Sequence, residues 1–285
     1  MPCTISEGLS KDTKIFRYMD LAKFLSLIHQ KYLFFAKSSS YEDGLEGMPT
    51  DLDSLIGGGA IDRLDYLANY LLPSFFAADN KSSEQRELKR QEVLSRFNER
   101  TINTVLGPLQ ASTQKTYSAV FEKVAQWVDI SCWHTDASNI ESMAMWKIYG
   151  AGEAAVCIES TLADVIASLD FPDDMMVHAG KVTYLDYKNN YVGNDDPLKV
   201  YFHKSKYYEF EKELRIVVYP STPIDVWADR VAPGTKVNVN PTRMVHSVMV
   251  SPASSSWFHE LITQIMNEAG FDVSVKKSEI PFRRP

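Results

Sequence analysis

Seven residues with strand character, KIFRYMD (14–20), run without a spacer into LAKFLSLIHQ (21–30) and then into KYLFFAKSSS (31–40). Leu21, Phe24, Leu25 and Ile28 recur at helical spacing in the middle segment, and Asp20 stands where an N-cap belongs. Each element has one apolar face to bury, so a strand feeding directly into a helix lays that helix on a sheet. The same succession returns in AAVCIES followed by TLADVIASL, with Thr161 as the cap, and in HSVMVSP, SSSWFHELITQIMNEAG and DVSVKKS. DISCWH (129–134) and HAGKVTYLDY add further strands. The pattern predicts a mixed α/β or α+β fold, a central mixed β-sheet flanked by helices. With 285 residues, 45% of them apolar, the chain is long enough to bury a large core as a single domain spanning 1–285.

From about 60 to 128 the signals read as helical throughout, which predicts a helical insertion. AIDRLDYLANYLL is broken by Pro73. The segment SSEQRELKRQEVLSRFNERTINTVL carries Ser82 and Gln85 at capping-box spacing, and TQKTYSAVFEKVAQWV follows. The charge run EQRELKRQE fits a solvated helix face, and the insertion as a whole is a candidate surface for a protein partner. A second capping box, Ser138 with Glu141, opens NIESMAMWKIY, which Gly150 ends.

Several chemistries are disfavoured. A net charge of −7 argues against general nucleic-acid binding. No run approaches the ~18 apolar residues that span a bilayer. The opening MPCTISEGLSKDTK lacks the basic and apolar regions of a secretion signal, so a cytoplasmic location is expected. Cys3, Cys132 and Cys157 are odd in number and far apart, as suits reduced thiols. Zinc is not expected, because CWH supplies a single Cys-x-His and HELIT (259–263) has Thr263 where a second histidine would stand. GGG (57–59) lacks the phosphate-loop context and reads as a turn, and no GxSxG is present. Cys132 and His134 lie on one side of a strand about 7 Å apart, which fits a buried thiol beside an edge histidine better than a catalytic pair.

What remains is concentrated. In YEFEKELRIVVYP (208–220), Glu209, Glu211, Glu213 and Arg215 alternate, so as a strand they share one face, with Phe210, Leu214, Ile216 and Val218 on the other. Glu213 and Glu211 are the candidate catalytic carboxylates. Arg17 and Tyr18 on the first strand, Ser38 and Tyr41 after the second, Trp146 and Tyr149 on the MAMWKIY helix, Lys204 in FHKSKYY, and Arg215 are the candidate ligand contacts. The same set is also compatible with a cross-strand ion-pair network that needs no ligand.

Taken in order, FRYMD, LFFAKSSSYEDGLEG, SCWH, ESMAMWKIYG, AVCIES, VTYLDY, HKSKYYEFEKELRIVV and the closing AGFDVSVKKSEIPFR resemble a bacterial family known as a domain of unknown function. The resemblance spans nearly the whole chain outside the insertion. It departs at SSYEDGLEG, where the family has a phenylalanine and Asn-Asp-Pro, which puts the role of Asp43 in question. A second similarity, of order and chemistry, is to ADP-ribosyltransferase-like enzymes, which place an Arg or His, a Ser or Tyr, and a Glu on successive strands. Arg17, Ser38 or Tyr41, and Glu211 or Glu213 match that order, and the similarity implies that Arg17 holds a diphosphate or ribose hydroxyl, an aromatic such as Tyr41 stacks on nicotinamide, and the carboxylate stabilises oxocarbenium charge. The expected function is then a nucleotide- or NAD-utilising enzyme, used as a toxin or in phage defence. Two alternatives stand beside it. One is a non-catalytic interaction module acting through residues 60–128. The other is a Mg-dependent nuclease built on Glu42, Asp43 and Glu46 beside Glu211.

Overall fold

The structure, a computed structural model, describes residues 3–58, 64, 67–71, 81–110, 116–136, 141–150, 152–193 and 195–282. After the short strand β1 (Thr4–Ile5), β2 (Lys14–Asp20) feeds α1 (Leu21–Gln30), and β3 (Tyr32–Lys37) follows. Asp20 caps α1 by accepting from the Lys23 amide at 2.8 Å. The Glu46 loop leads to α2 (Asp51–Gly57), and Leu67–Leu71 forms a π-helical turn. In α3 (Ser83–Asn98) the expected box is reciprocal: Ser82 N donates to Gln85 Oε1 at 3.0 Å, and Gln85 N to Ser82 Oγ at 3.2 Å. Its flanks carry the pairs Lys89–Glu92, Arg90–Glu87 and Arg96–Glu92, as a solvated helix would.

The region is not helical throughout. TINT is β4 (Thr101–Thr104), joined antiparallel to β5 (Gly107–Gln110). Thr101, Ile102, Thr104 and Val105 are β-branched, and Gly107 takes φ +98°, so local chemistry favours a hairpin over a further helical turn. Residues 59–63, 65–66, 72–80 and 111–115 lie outside the described residues. The third glycine of GGG and most of the first expected insertion helix therefore fall there.

The hairpin leads to α4 (Tyr117–Ala125), β6 (Asp129–His134), α5 (Met143–Tyr149) and β7 (Ala155–Thr161). Next come α6 (Leu162–Ser168), β8 (Leu169–Asp170), β9 (Met175–Lys181), β10 (Thr183–Leu185), β11 (His203–Ser205) and β12 (Glu213–Pro220). The chain ends with β13 (Gly234–Val239), α7 (Pro241–Met244), β14 (Ser247–Val250), α8 (Ser256–Glu268) and β15 (Ser274–Lys277). Ser138, the expected cap of α5, lies outside the described residues. Ser142 fills that role, accepting from Met145 N at 3.4 Å. Thr161 caps α6 as expected.

Eleven strands form one sheet. Its main path runs β1-β9-β12-β6-β2-β7-β14-β15, while β3, β13 and β8 branch from β6. The two outermost pairs, β1 with β9 and β14 with β15, are parallel, and the other pairs of this sheet are antiparallel. Alternation sorts the core. Ile15, Met19, Val156 and Ile158 face α1, α6 and α8, whereas Phe16, Tyr18, Ala155 and Cys157 face Met145 and Trp146 of α5. Tyr117, Val120, Phe121 and Val124 of α4 pack on Ile130 and Val217 on that second side.

One detail of the topology positions the cavity and its side chains. Along a single edge, β6 pairs with β2 only at His134, opposite Phe16, and with β3 only at Ile130 and Asp129, opposite Ala36 and Lys37. Between those points the two neighbours diverge, and the sheet forks.

Candidate active site

The fork leaves backbone acceptors of β6 without a strand to pair with, and side chains take its place. Arg17 Nη1 on β2 donates to the Cys132 carbonyl at 3.1 Å and to Ser131 Oγ at 2.5 Å. The Tyr41 hydroxyl donates to the Ile130 carbonyl at 3.1 Å. A cavity of about 410 Å³ opens in the fork, and Arg17, Tyr18, Tyr41, His134, Tyr149 and Glu213 are among its lining residues. Its remaining wall is largely apolar, with Phe16, Leu33, Phe34 and Met145, and Lys23 and Ser26 on the α1 side.

The carboxylates enter from β12, though not along one strand. Lys206–Glu211 is a 3-10 helix, Lys212 takes a left-handed φ of 42°, and the strand starts at Glu213. Glu209 is therefore exposed, and Phe210, expected in the core, is 40% exposed. The left-handed kink at Lys212 brings Glu211 and Glu213 onto one ammonium: Lys204 Nζ lies 2.6 Å from Glu211 Oε2 and 3.0 Å from Glu213 Oε1. Glu213 Oε2 accepts from Arg215 Nε at 2.6 Å. Glu46 completes the cluster, 3.0 Å from Lys204 Nζ and 3.2 Å from Arg215 Nη2. Arg215, with no exposed surface, also donates to the Tyr201 carbonyl at 2.9 Å.

Two cations thus face three carboxyl groups, all buried. Burial alone would protonate Glu213, but the Arg215 charge, with Lys204 beside it, holds its carboxyl well below the usual range. Glu211 moves the other way. Desolvation and the neighbouring Glu213 charge lift it to about 7, against the pull of Lys204. Burial raises Glu46 as well, partly opposed by Arg215 and Lys204.

The Glu211 shift has a consequence for stability. Between the ordinary carboxylate range, about 4.3, and the folded value, the native state binds a proton that the unfolded chain has released. Stability from this group is complete below that window and falls as pH rises through it. A decline of about 1–3 kcal/mol between pH 5 and 8 is expected in urea titrations. Glu211→Gln should flatten it; an unchanged slope in that variant would assign the decline to another group.

Of the residues expected from sequence, Arg17, Tyr18, Tyr41, Tyr149 and Glu213 line the cavity. Glu211, Lys204 and Arg215 stand behind Glu213, and Tyr149 reaches back to donate to Glu211 Oε1 at 2.8 Å. Ser38 and Trp146 are buried away from the lining. Trp146 packs edge-on against Tyr18 at 4.9 Å and donates to Glu141 Oε2. The Tyr18 hydroxyl accepts from Ser142 N at 3.0 Å, tying the cavity wall to the start of α5.

From sequence, Glu46 enters only as a nuclease ligand, and Cys132 and His134 only as a buried thiol beside an edge histidine. A signal for Glu46 exists in LEG: Gly47 has φ +72°, and a Cβ there would meet Ser38 Oγ at 2.8 Å and Tyr201 Cε1 at 3.0 Å. The glycine lets the loop fold tightly enough to bury the preceding glutamate. Glu42 is exposed, and Asp43 accepts from the Leu45 amide of its own turn.

No protein-family model matches the chain, and no curated protein does. The family resemblance therefore stands on its motifs alone. Among solved structures the chain is similar to DarT of Thermus sp. 2.9, determined in complex with ADP-ribosylated ssDNA. Identity is 10%, the match covers 98% of this chain and 97% of that chain, and the TM-score is 0.33. At that score the likeness carries no weight for the site. Among the described residues no helix is long and apolar enough to cross a membrane.

Proposed function

We propose that this protein binds NAD⁺ in the fork and cleaves its nicotinamide–ribose bond, transferring ADP-ribose to an acceptor. The reading rests on one observation: the cavity holds two opposite charges on separate strands, and only one of them is compensated. Glu213 is neutralised from behind by Lys204 and Arg215. Arg17 is stacked 5.5 Å from the centre of the Trp133 ring and is bonded through Nη1 to neutral oxygens. Among the described residues no carboxylate pairs with it. Burial depresses its pKa, which records the cost of a cation without a counter-ion.

A ligand that carries a diphosphate supplies the counter-ion that Arg17 lacks, and one that develops positive charge at its other end meets the ionised Glu213 carboxylate. Arg17 would take the phosphate oxygens. The Glu213 carboxylate, held ionised, would stabilise the ribosyl oxocarbenium that forms as nicotinamide departs. Tyr41 and Tyr149 supply aromatic walls for the base and ribose. The volume falls within the range of about 300–1,000 Å³ usual for small-molecule sites. Consumption of NAD⁺ is also chemistry that a toxin or phage-defence enzyme could direct at a cell.

The alternatives fit less well. An interaction module needs no such cavity. In a nuclease, Glu46, Glu211 and Glu213 would have to face Mg²⁺, whereas here the Lys204 ammonium sits among them.

Titration calorimetry with NAD⁺, paired with chromatographic detection of nicotinamide, tests the proposal. Arg17→Gln should weaken binding about 10- to 100-fold, the loss of one charge-assisted contact. Absence of both binding and nicotinamide release by the wild-type protein at millimolar NAD⁺ would sink it.

A further inference from the structure

His134 is 2% exposed, lines the cavity, and leaves one ring nitrogen unused. Its Nδ1 lies 2.6 Å from the Glu211 carbonyl oxygen, an acceptor only, so Nδ1 carries the proton and Nε2 bears the lone pair. Nε2 is buried and has no protein partner. Such an acceptor is costly to leave empty. The Nδ1 bond sets the ring orientation, and Tyr18, edge-on at 5.9 Å, and Phe16 at 6.4 Å pack against it. His134 also sits directly opposite Glu213 in the β6–β12 register. A buried lone pair and a fixed carboxylate therefore sit on paired residues of neighbouring strands, both of which line the cavity.

We infer that His134 is the proton acceptor of the cavity and that its Nε2 activates the nucleophile that captures the ADP-ribosyl group. This assignment rests on the proposed function for its substrate. The two side chains divide the work because their surroundings differ. Glu213, committed to Lys204 and Arg215, keeps its negative charge and is a weak base. Neutral imidazole is the better base, and desolvation keeps His134 neutral by lowering its pKa. The charged groups near it, Asp136 and Lys212, act on it in opposite directions and are secondary to burial.

In the step itself, the bond between ribose C1′ and the nicotinamide nitrogen breaks, and its electron pair leaves on nicotinamide, which becomes neutral. A lone pair of the acceptor oxygen or nitrogen forms the new bond to C1′. The proton that the acceptor loses passes to Nε2 and later to solvent. With water as acceptor the balance is NAD⁺ plus water giving ADP-ribose, nicotinamide and a proton.

The test uses the full chain, NAD⁺ and water. Asparagine keeps an amide donor near the Nδ1 position and lacks the distant acceptor, so His134→Asn should fold and bind NAD⁺ within a few-fold of wild type. ADP-ribose formation should fall about 100-fold or more. Added imidazole should restore part of the activity of His134→Ala. A His134→Asn variant retaining more than half the wild-type rate overturns the assignment, as does a loss that imidazole leaves untouched in a folded His134→Ala protein. Imidazole ¹⁵N spectra of the histidine-labelled wild type give an arm independent of turnover. A protonated Nδ1 with a bare Nε2 supports the assignment, and a proton on Nε2 overturns it. If the wild type leaves NAD⁺ intact, the proposed function falls, and the tautomer alone decides whether His134 is the cavity's proton acceptor.

Discussion

Glu213→Gln is expected to reduce nicotinamide release by about 100- to 1,000-fold while leaving the protein folded, the scale seen when one preorganised electrostatic contact to a transition state is lost. The structural half of this expectation follows from the proton count of the cluster. In the wild type, Glu213 is ionised between Lys204 and Arg215, and burial together with the Glu213 charge raises Glu211 to about 7. Removing that charge relieves Glu211, which then ionises against Lys204 at 2.6 Å. One carboxylate replaces another, and stability changes little. The replacement lies behind the wall, however, since Glu211 holds Tyr149 and does not line the cavity. Denaturant titrations and initial rates on the same preparation separate the two effects. A variant that is both stable and fully active would remove Glu213 from the chemistry.

Arg215→Met should have the largest effect on folding, a loss of about 3–5 kcal/mol. The guanidinium is wholly buried and serves Glu213, Glu46 and the Tyr201 carbonyl at once. Methionine fills part of the space but leaves Lys204 alone among three carboxyl groups. Combining it with Glu46→Gln removes one of the stranded charges, so the double variant should recover part of the loss, a coupling that a double-mutant cycle reads directly. Strict additivity between the two would show that Glu46 and Arg215 do not sense each other.

The elements flanking this cluster were legible because local chemistry and tertiary packing agree there. KIFRYMD, LAKFLSLIHQ and DISCWH have the bounds their alternation and caps suggest, and Asp20 and Thr161 cap as their positions imply. The errors fall where short-range rules compete. YEFEKE alternates like a strand yet winds into a 3-10 turn, because Lys204 draws Glu211 and Glu213 together, and that requires a kink at Lys212. TINT follows a helix rich in charge, and its residues, read as the tail of that helix, pair instead with Gly107–Gln110 across a two-residue turn.

The site was partly visible for the same reason. Arg17 and Glu213 stood out as charges inside apolar strands, whereas His134 and Glu46 gained meaning only from partners 77 and, through Lys204, many more residues away in sequence than a local window covers. No periodicity encodes a ring nitrogen without a partner.

The fork in the sheet has a mechanical side. A pocket bounded by loops can widen or close as those loops move, but both strand arms of this one are anchored in the same strand by backbone pairing at Phe16–His134 and Ala36–Ile130. The gap is thus a fixed gauge. Its width is set by the twist of β6 between two anchor points, and a substrate must match it as a key matches a milled slot. Drift in α1, α5 or the Tyr41 turn would move side chains that line the slot, while its two strand anchors stay on β6.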